Sequence, residues 1–143
     1  MTVLFTGGCL CGSVRYTCNA EPAASGHCQC NDCRRTSGTG HSSHLAVPDN
    51  AVANTGEVTV YERRADSGNL VRRAFCPTCG SPIYSTNSGM PGLVFLRASS
   101  LDDLEVFKPR LVVYTMRAAS WDFVDPKLPG FETMPPAVPP AAS

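Results

Sequence analysis

Apolar residues along this chain recur in short alternating runs, not at helical spacing. Val14 and Tyr16 alternate with Ser13, Arg15 and Thr17, and Val58 and Val60 alternate with Glu57, Thr59 and Tyr61. That is the period of a strand with one buried face. Leu70-Val71 to Phe75, Leu93 to Leu96 and Leu111 to Tyr114 are further short runs rich in β-formers. Turn residues separate them: Pro48-Asp49-Asn50, Ala65-Asp66-Ser67-Gly68-Asn69 and Asn87-Ser88-Gly89-Met90-Pro91-Gly92. Ser67-Gly68-Asn69 suits a hairpin joining residues 57–64 to 70–75. Ser100-Leu101-Asp102-Asp103-Leu104 reads as one helical turn opened by a serine cap. The pattern predicts a mainly β, single-domain fold.

From Asp125 onward the composition shifts. Pro126, Pro129, Pro135, Pro136, Pro139 and Pro140 exclude regular helix and central strand. Trp121, Phe123, Leu128 and Phe131 still offer surface to bury, with Trp121 read as a core residue. The chain to residue 131 is therefore expected to wrap the body as part of one domain, 1–131, followed by a Pro-rich extended tail, 132–143.

Length and charge narrow the function. A chain of 143 residues suits one domain with a real core. Twelve basic and twelve acidic side chains balance to zero, which gives no electrostatic case for nucleic acid or an anionic membrane. No apolar run approaches the length that spans a bilayer, and the first residues lack the basic start of a secretion signal. A reducing, cytoplasmic setting is the expectation.

Eight cysteines then dominate the reading. Seven form tight groups: Cys9-x-Cys11, Cys28-x-Cys30-x-x-Cys33 and Cys76-x-x-Cys79. In a reducing compartment such clusters mean metal or redox chemistry more often than disulfides. Cys9 and Cys11, two apart in an extended segment, would point to one side. Cys76-Pro77-Thr78-Cys79-Gly80 has the form of a zinc knuckle, with Pro77 presetting φ and Gly80 free to turn left-handed. Together these doublets predict a closed Cys₄ structural zinc site, and the triplet predicts a second, open zinc site on one loop. Zn²⁺ is thus expected twice per chain. The fourth corner of the open site falls to water, a substrate thiolate, or one of His27, His41 and His44. Three thiolates already donate much charge to the ion, so thiol binding suits it better than water activation. Cys18, the eighth, continues the Val14/Tyr16 face and reads as a buried free thiol.

The chain resembles the glutathione-dependent formaldehyde-activating enzyme (GFA-like) family, which has an Mss4-like complex β-fold. The matching pieces are Gly8-Cys9-Leu10-Cys11-Gly12, Cys28-x-Cys30-x-x-Cys33-Arg34-Arg35-x-Ser37-Gly38 and Phe75-Cys76-Pro77-Thr78-Cys79-Gly80-Ser81-Pro82. Ser99-Ser100-Leu101-Asp102-Asp103 and Trp121 follow a weaker pattern. The resemblance implies that Cys9, Cys11, Cys76 and Cys79 hold a structural zinc. It implies that Cys28, Cys30 and Cys33 hold a labile zinc at the active site, where a glutathione-type thiol binds. It further implies a carbon–sulfur lyase that condenses a small aldehyde, formaldehyde in the family's name, with glutathione. The family often has His between the first two cysteines of the triplet; this chain has Gln29.

The paired bases Arg34-Arg35, Arg63-Arg64 and Arg72-Arg73 are candidates to clamp a ligand carboxylate, and Arg34 and Arg35, directly after the triplet, are best placed. In Arg63-Arg64 and Arg72-Arg73, strand alternation sends one arginine of each pair to solvent. Tyr84 and Tyr114 read as packing residues. Two other functions stay open: a zinc-supported binding module without chemistry, and a redox sensor built on the triplet thiols.

Overall fold

The computed structural model describes residues 2–135, so Pro136, Pro139 and Pro140 of the expected tail lie outside it. Eleven strands form two sheets among these residues. The small sheet joins β1 (Phe5–Gly8), β2 (Arg15–Cys18) and β5 (Val52–Thr55) in the order β1-β2-β5. The large sheet contains β3 (Ala24–Cys28), β4 (Ser42–Pro48), β6 (Thr59–Arg64), β7 (Leu70–Phe75), β8 (Pro82–Asn87), β9 (Leu93–Arg97), β10 (Leu111–Val113) and β11 (Gly130–Phe131). Its order is β11-β10-β3-β4-β9-β8-β7-β6. One helix, α1 (Asn31–Ser37), follows β3.

The core lies where the sheets meet. Val14, Tyr16 and Cys18 are fully buried, as their alternation predicts, and pack with Leu45, Val47, Ile83, Val94 and Leu96. The Tyr16 hydroxyl is satisfied by Ser100 Oγ at 2.7 Å, and that serine also donates to the Arg97 carbonyl at 2.7 Å. Ser100 is therefore spent inside the core and opens no helical turn. Two separate 3₁₀ turns occupy the region, Ala98–Ser100 and Leu104–Val106, and Asp103 caps the second by accepting from the Glu105 amide at 3.0 Å.

The predicted hairpin forms, β6 pairing with β7 from Thr59↔Phe75 to Arg64↔Leu70. Its outer strand departs from the sequence pattern. Every residue of β6 is exposed, Val60 by 39%, because β6 is the sheet edge and nothing covers either face. Residues 125–131 run along the body and end in an edge strand. Gly130 and Phe131 add a parallel strand to β10, and the Pro129 carbonyl accepts from the Val112 amide at 2.9 Å. Proline is compatible with this because the pairing uses its carbonyl at an edge. Trp121 and Phe123, read as surface to bury, are 61% and 88% exposed.

Candidate metal centres and the cleft

Both cysteine doublets sit in hairpin connections. Cys9 to Ser13 link β1 to β2, with the Gly12 amide bonded to the Cys9 carbonyl at 3.2 Å. Cys9-Leu10-Cys11 is thus a turn, not the extended segment expected, and exposed Leu10 forms its tip. Cys76 to Ser81 link β7 to β8, where Gly80 takes the left-handed φ of 76° and its amide bonds the Cys76 carbonyl at 2.8 Å. The four sulfurs all lie within 4.8 Å of one another. Zinc–sulfur bonds near 2.3 Å put tetrahedral sulfur pairs about 3.8 Å apart. Cys9–Cys11 at 3.6 Å and Cys11–Cys76 at 3.7 Å fit that spacing.

Donors also converge on these sulfurs as they would on thiolates. The Val14 amide approaches Cys9 Sγ at 3.2 Å, and the Thr78 and Cys79 amides approach Cys76 Sγ at 3.4 and 3.5 Å. The Ser81 hydroxyl at 3.2 Å, its amide and the Cys11 backbone hold the Cys79 thiol down to about 5. One doublet belongs to the small sheet and the other to the large sheet, so an ion here would clip the two sheets together.

The triplet is built differently. Cys28 ends β3, Cys30 is the N-cap of α1, and Cys33 lies in that helix's first turns. Cys30 Sγ accepts from the Cys33 amide at 3.3 Å. A short helix therefore replaces the loop expected there. The three sulfurs again lie within 4.8 Å of one another. Hydrogen bonds from Cys28 and Cys33, then from the Cys33 and Asp32 amides, push the Cys30 thiol far down. The same sulfur contacts, with burial, push Cys28 far up. Crowding sets the three thiols against one another, and a divalent cation would relieve it by letting all three ionise. The donor set and spacing fit zinc.

The three histidines separate in their roles. His44 is half-buried in the cleft wall, pushed well down by desolvation and then by Arg97, and its Nε2 lies 3.9 Å from Cys33 Sγ. It touches one sulfur of the trio and does not join the mutual cluster. His27 pairs with Ser43 at 2.8 Å and is lowered to about 4, first by burial and then by His41. His41 binds Asp122 at 2.8 Å. Gln29, only 2% exposed, points to the same carboxylate, its Nε2 donating to Asp122 Oδ2 at 3.0 Å. The side chain between two candidate ligands therefore braces the triplet from behind. Asp122 approaches so closely that a Cβ on Gly40 would stand 2.4 Å from its Cγ.

The trio opens on a cleft of ≈ 720 Å³, a size typical of small-molecule sites. None of the Cys₄ residues lines it. Its floor is one face of the large sheet. Strand register lines up Arg73, Ser85, Phe95, Ala46 and Ala24 across five strands, with His44, Gly26 and Leu111 in the adjoining row and Cys28 and Val113 beyond. Tyr114 borders the cleft in a left-handed conformation, φ 59°, uncommon for a residue with a Cβ and typical of functional sites.

Arg34 and Arg35 lie outside the cleft lining, on the helix. Arg73 and Arg117 line it instead. Arg72 turns to solvent beside Glu62 at 3.5 Å, and Arg63 and Arg64 are both exposed. Sequence reasoning ranked Arg73 behind Arg34 and Arg35 as a clamp and missed Asp122 and Tyr114 as site residues. For Arg73 the signal was available: alternation from exposed Arg72 puts it on the opposite face.

No helix among the described residues is long and apolar enough to cross a membrane. The glutathione-dependent formaldehyde-activating enzyme family model matches residues 4–117. No curated protein matches the chain. Among solved structures, a protein from Rhodobacter sphaeroides is similar with a TM-score of 0.58 at 17% identity, covering 88% of this chain and 98% of that one; the likeness is one of fold. The matched family segment takes in both cysteine clusters and every strand except β11, and the chain belongs to the glutathione-dependent formaldehyde-activating enzyme family.

Proposed function

We propose that the protein is a zinc-dependent carbon–sulfur lyase that joins a small thiol such as glutathione to a small aldehyde. Cys28, Cys30 and Cys33 hold the catalytic zinc, and Cys9, Cys11, Cys76 and Cys79 hold a structural one. The observation that carries this reading is the placement of an incomplete three-sulfur set, and not the four-sulfur set, on a cleft of ≈ 720 Å³. Zinc in the open site would supply a Lewis-acid position that lowers a substrate thiol's pKa. The chain's own part is to fix the trio by the α1 N-terminus and by the Gln29–Asp122 brace, and to keep His44 neutral beside Cys33. In the reaction the sulfur lone pair forms the C–S bond, the carbonyl π pair moves to oxygen, and the thiol proton ends on that oxygen.

Because Cys30 lies at the helix cap and outside the core, Cys30→Ser should abolish thiol-dependent activity and leave the fold largely intact. A Cys30→Ser protein with full activity rules the scheme out. The clustered metal-binding cysteines suit a reducing compartment such as the cytoplasm.

A second reading, a binding module, draws on exposed Trp121 and Phe123. It predicts a second zinc that ignores thiols, whereas the enzyme reading predicts one that responds to them.

A further inference from the structure

Two guanidinium groups near the trio have no carboxylate in ion-pair range: Arg73 lines the cleft, and Arg97 lines an adjoining hollow. Arg97 is only 5% exposed; its Nη1 donates to Ser85 Oγ and to the Phe95 carbonyl, both at 3.2 Å. It feels the negative charge of Cys33 and, more weakly, of Cys28 and Cys30. Arg73 shares a register row with Ser85 and Phe95 and lines both the cleft and an adjoining hollow of ≈ 340 Å³. Its Nε is buried without a hydrogen-bond partner, the only such side-chain atom among the described residues. The ion pairs of the described residues engage Arg15, His41, Arg63 and Arg72, and none engages Arg73.

The charges do not balance within the protein. Three thiolates around a divalent ion leave one net negative charge at the trio. That charge answers Arg97. On the rim, Asp32 pairs with Arg63 at 3.9 Å and Asp66 sits exposed on the hairpin turn. Arg73 is left as a half-buried cation facing an open cleft. A buried charge and an unmet donor are both costly, and such a group persists where a ligand supplies the partner.

We propose that Arg73 is the anion receptor of the cleft, taking a carboxylate of an acidic thiol substrate whose uncharged middle lies over Phe95 and Ala46. This deepens the thiol reading above and rests on it for the word thiol alone. A planar guanidinium suits a carboxylate through paired hydrogen bonds, and the apolar floor between Arg73 and Cys28 suits a body without charge. Arg117, exposed at the rim, is solvated and a weaker anchor.

Calorimetry on the zinc-loaded full chain tests this with three probes: glutathione, S-methylglutathione, which keeps the carboxylates and lacks the thiol, and 2-mercaptoethanol, which keeps only the thiol. Arg73→Met should weaken glutathione and S-methylglutathione by about tenfold or more and leave 2-mercaptoethanol unchanged. Arg73→Lys should recover part of the loss. Without ligand, Arg73→Met should melt no lower than wild type, since it removes an unpaired charge.

Unchanged binding of both glutathione and S-methylglutathione by Arg73→Met overturns the proposal, as does wild-type protein that binds neither. An equal loss for 2-mercaptoethanol, or a large fall in melting temperature, overturns it in favour of a structural role. If glutathione binds no more tightly than S-methylglutathione, the thiol reading fails on its own, and the S-methylglutathione ratio still judges Arg73.

Discussion

Replacing Cys76 by serine removes one corner of the Cys₄ site at its most buried point, since Cys76 is fully buried and packs within the core. Cys11 and Cys76 are 65 residues apart, and their link joins the turn of the small sheet to the turn of the large one. Treating a metal clip as a cross-link, closure of such a loop contributes about 4 kcal/mol. The triplet spans a far shorter loop, and the difference in closure is about 2 kcal/mol in favour of the Cys₄ site. Against a total stability of roughly 5–15 kcal/mol, losing 4 is a large fraction. For a chain of this size it lowers Tm by about 8–16 °C. Thermal denaturation of Cys76→Ser, Cys30→Ser and wild type, each with its zinc content measured, gives the comparison. Cys76→Ser should lose zinc and melt about 8–16 °C below wild type, while Cys30→Ser should lose zinc and fall by about half as much. A Cys76→Ser protein that melts like wild type would refute the account of the clip.

Asp122→Ala should lower stability by about 2–3 kcal/mol, because buried Gln29 and His41 both lose their acceptor. A melting temperature unchanged by this substitution would show that the brace carries no energy. Asp102 is lowered to about 2 by hydrogen bonds from Arg15 and Thr6. A carboxylate with a depressed folded pKa stabilises above its unfolded value near 4 and loses that effect as pH falls toward 2. The Tm gap between wild type and Asp102→Asn should therefore be full at pH 7 and shrink below pH 4; a gap independent of pH would contradict the pairing. The gap should be modest, since both partners are nearly half exposed.

The two cysteine groupings could be read from spacing alone because metal chelation imposes a local pattern. The same holds for the Val14, Tyr16 and Cys18 face, where a two-residue period reports burial directly. Helix α1 escaped because it buries a single residue, Cys33, and so has no apolar period. Its other marks were present: Asp32 in the first turn, Arg34 and Arg35 in the last, and Gly38 closing it in the left-handed conformation. Those arginines look like ligand clamps by their nearness to Cys33 in sequence, but the helix carries them away from the cleft. The Gln29–Asp122 contact joins residues 93 apart, and no local rule predicts a buried polar pair at that distance. Trp121 shows the converse limit: its size suggests the core, yet the chain beside it is anchored by Asp122, leaving the ring outside.

Elemental zinc per chain, measured before and after titration with glutathione and alongside calorimetry of the same titration, tests the central claim most directly. The account predicts two zinc ions, heat on adding glutathione, and one ion whose ease of chelation changes with the thiol. Two ions indifferent to glutathione would contradict an open thiol-binding site at Cys28, Cys30 and Cys33.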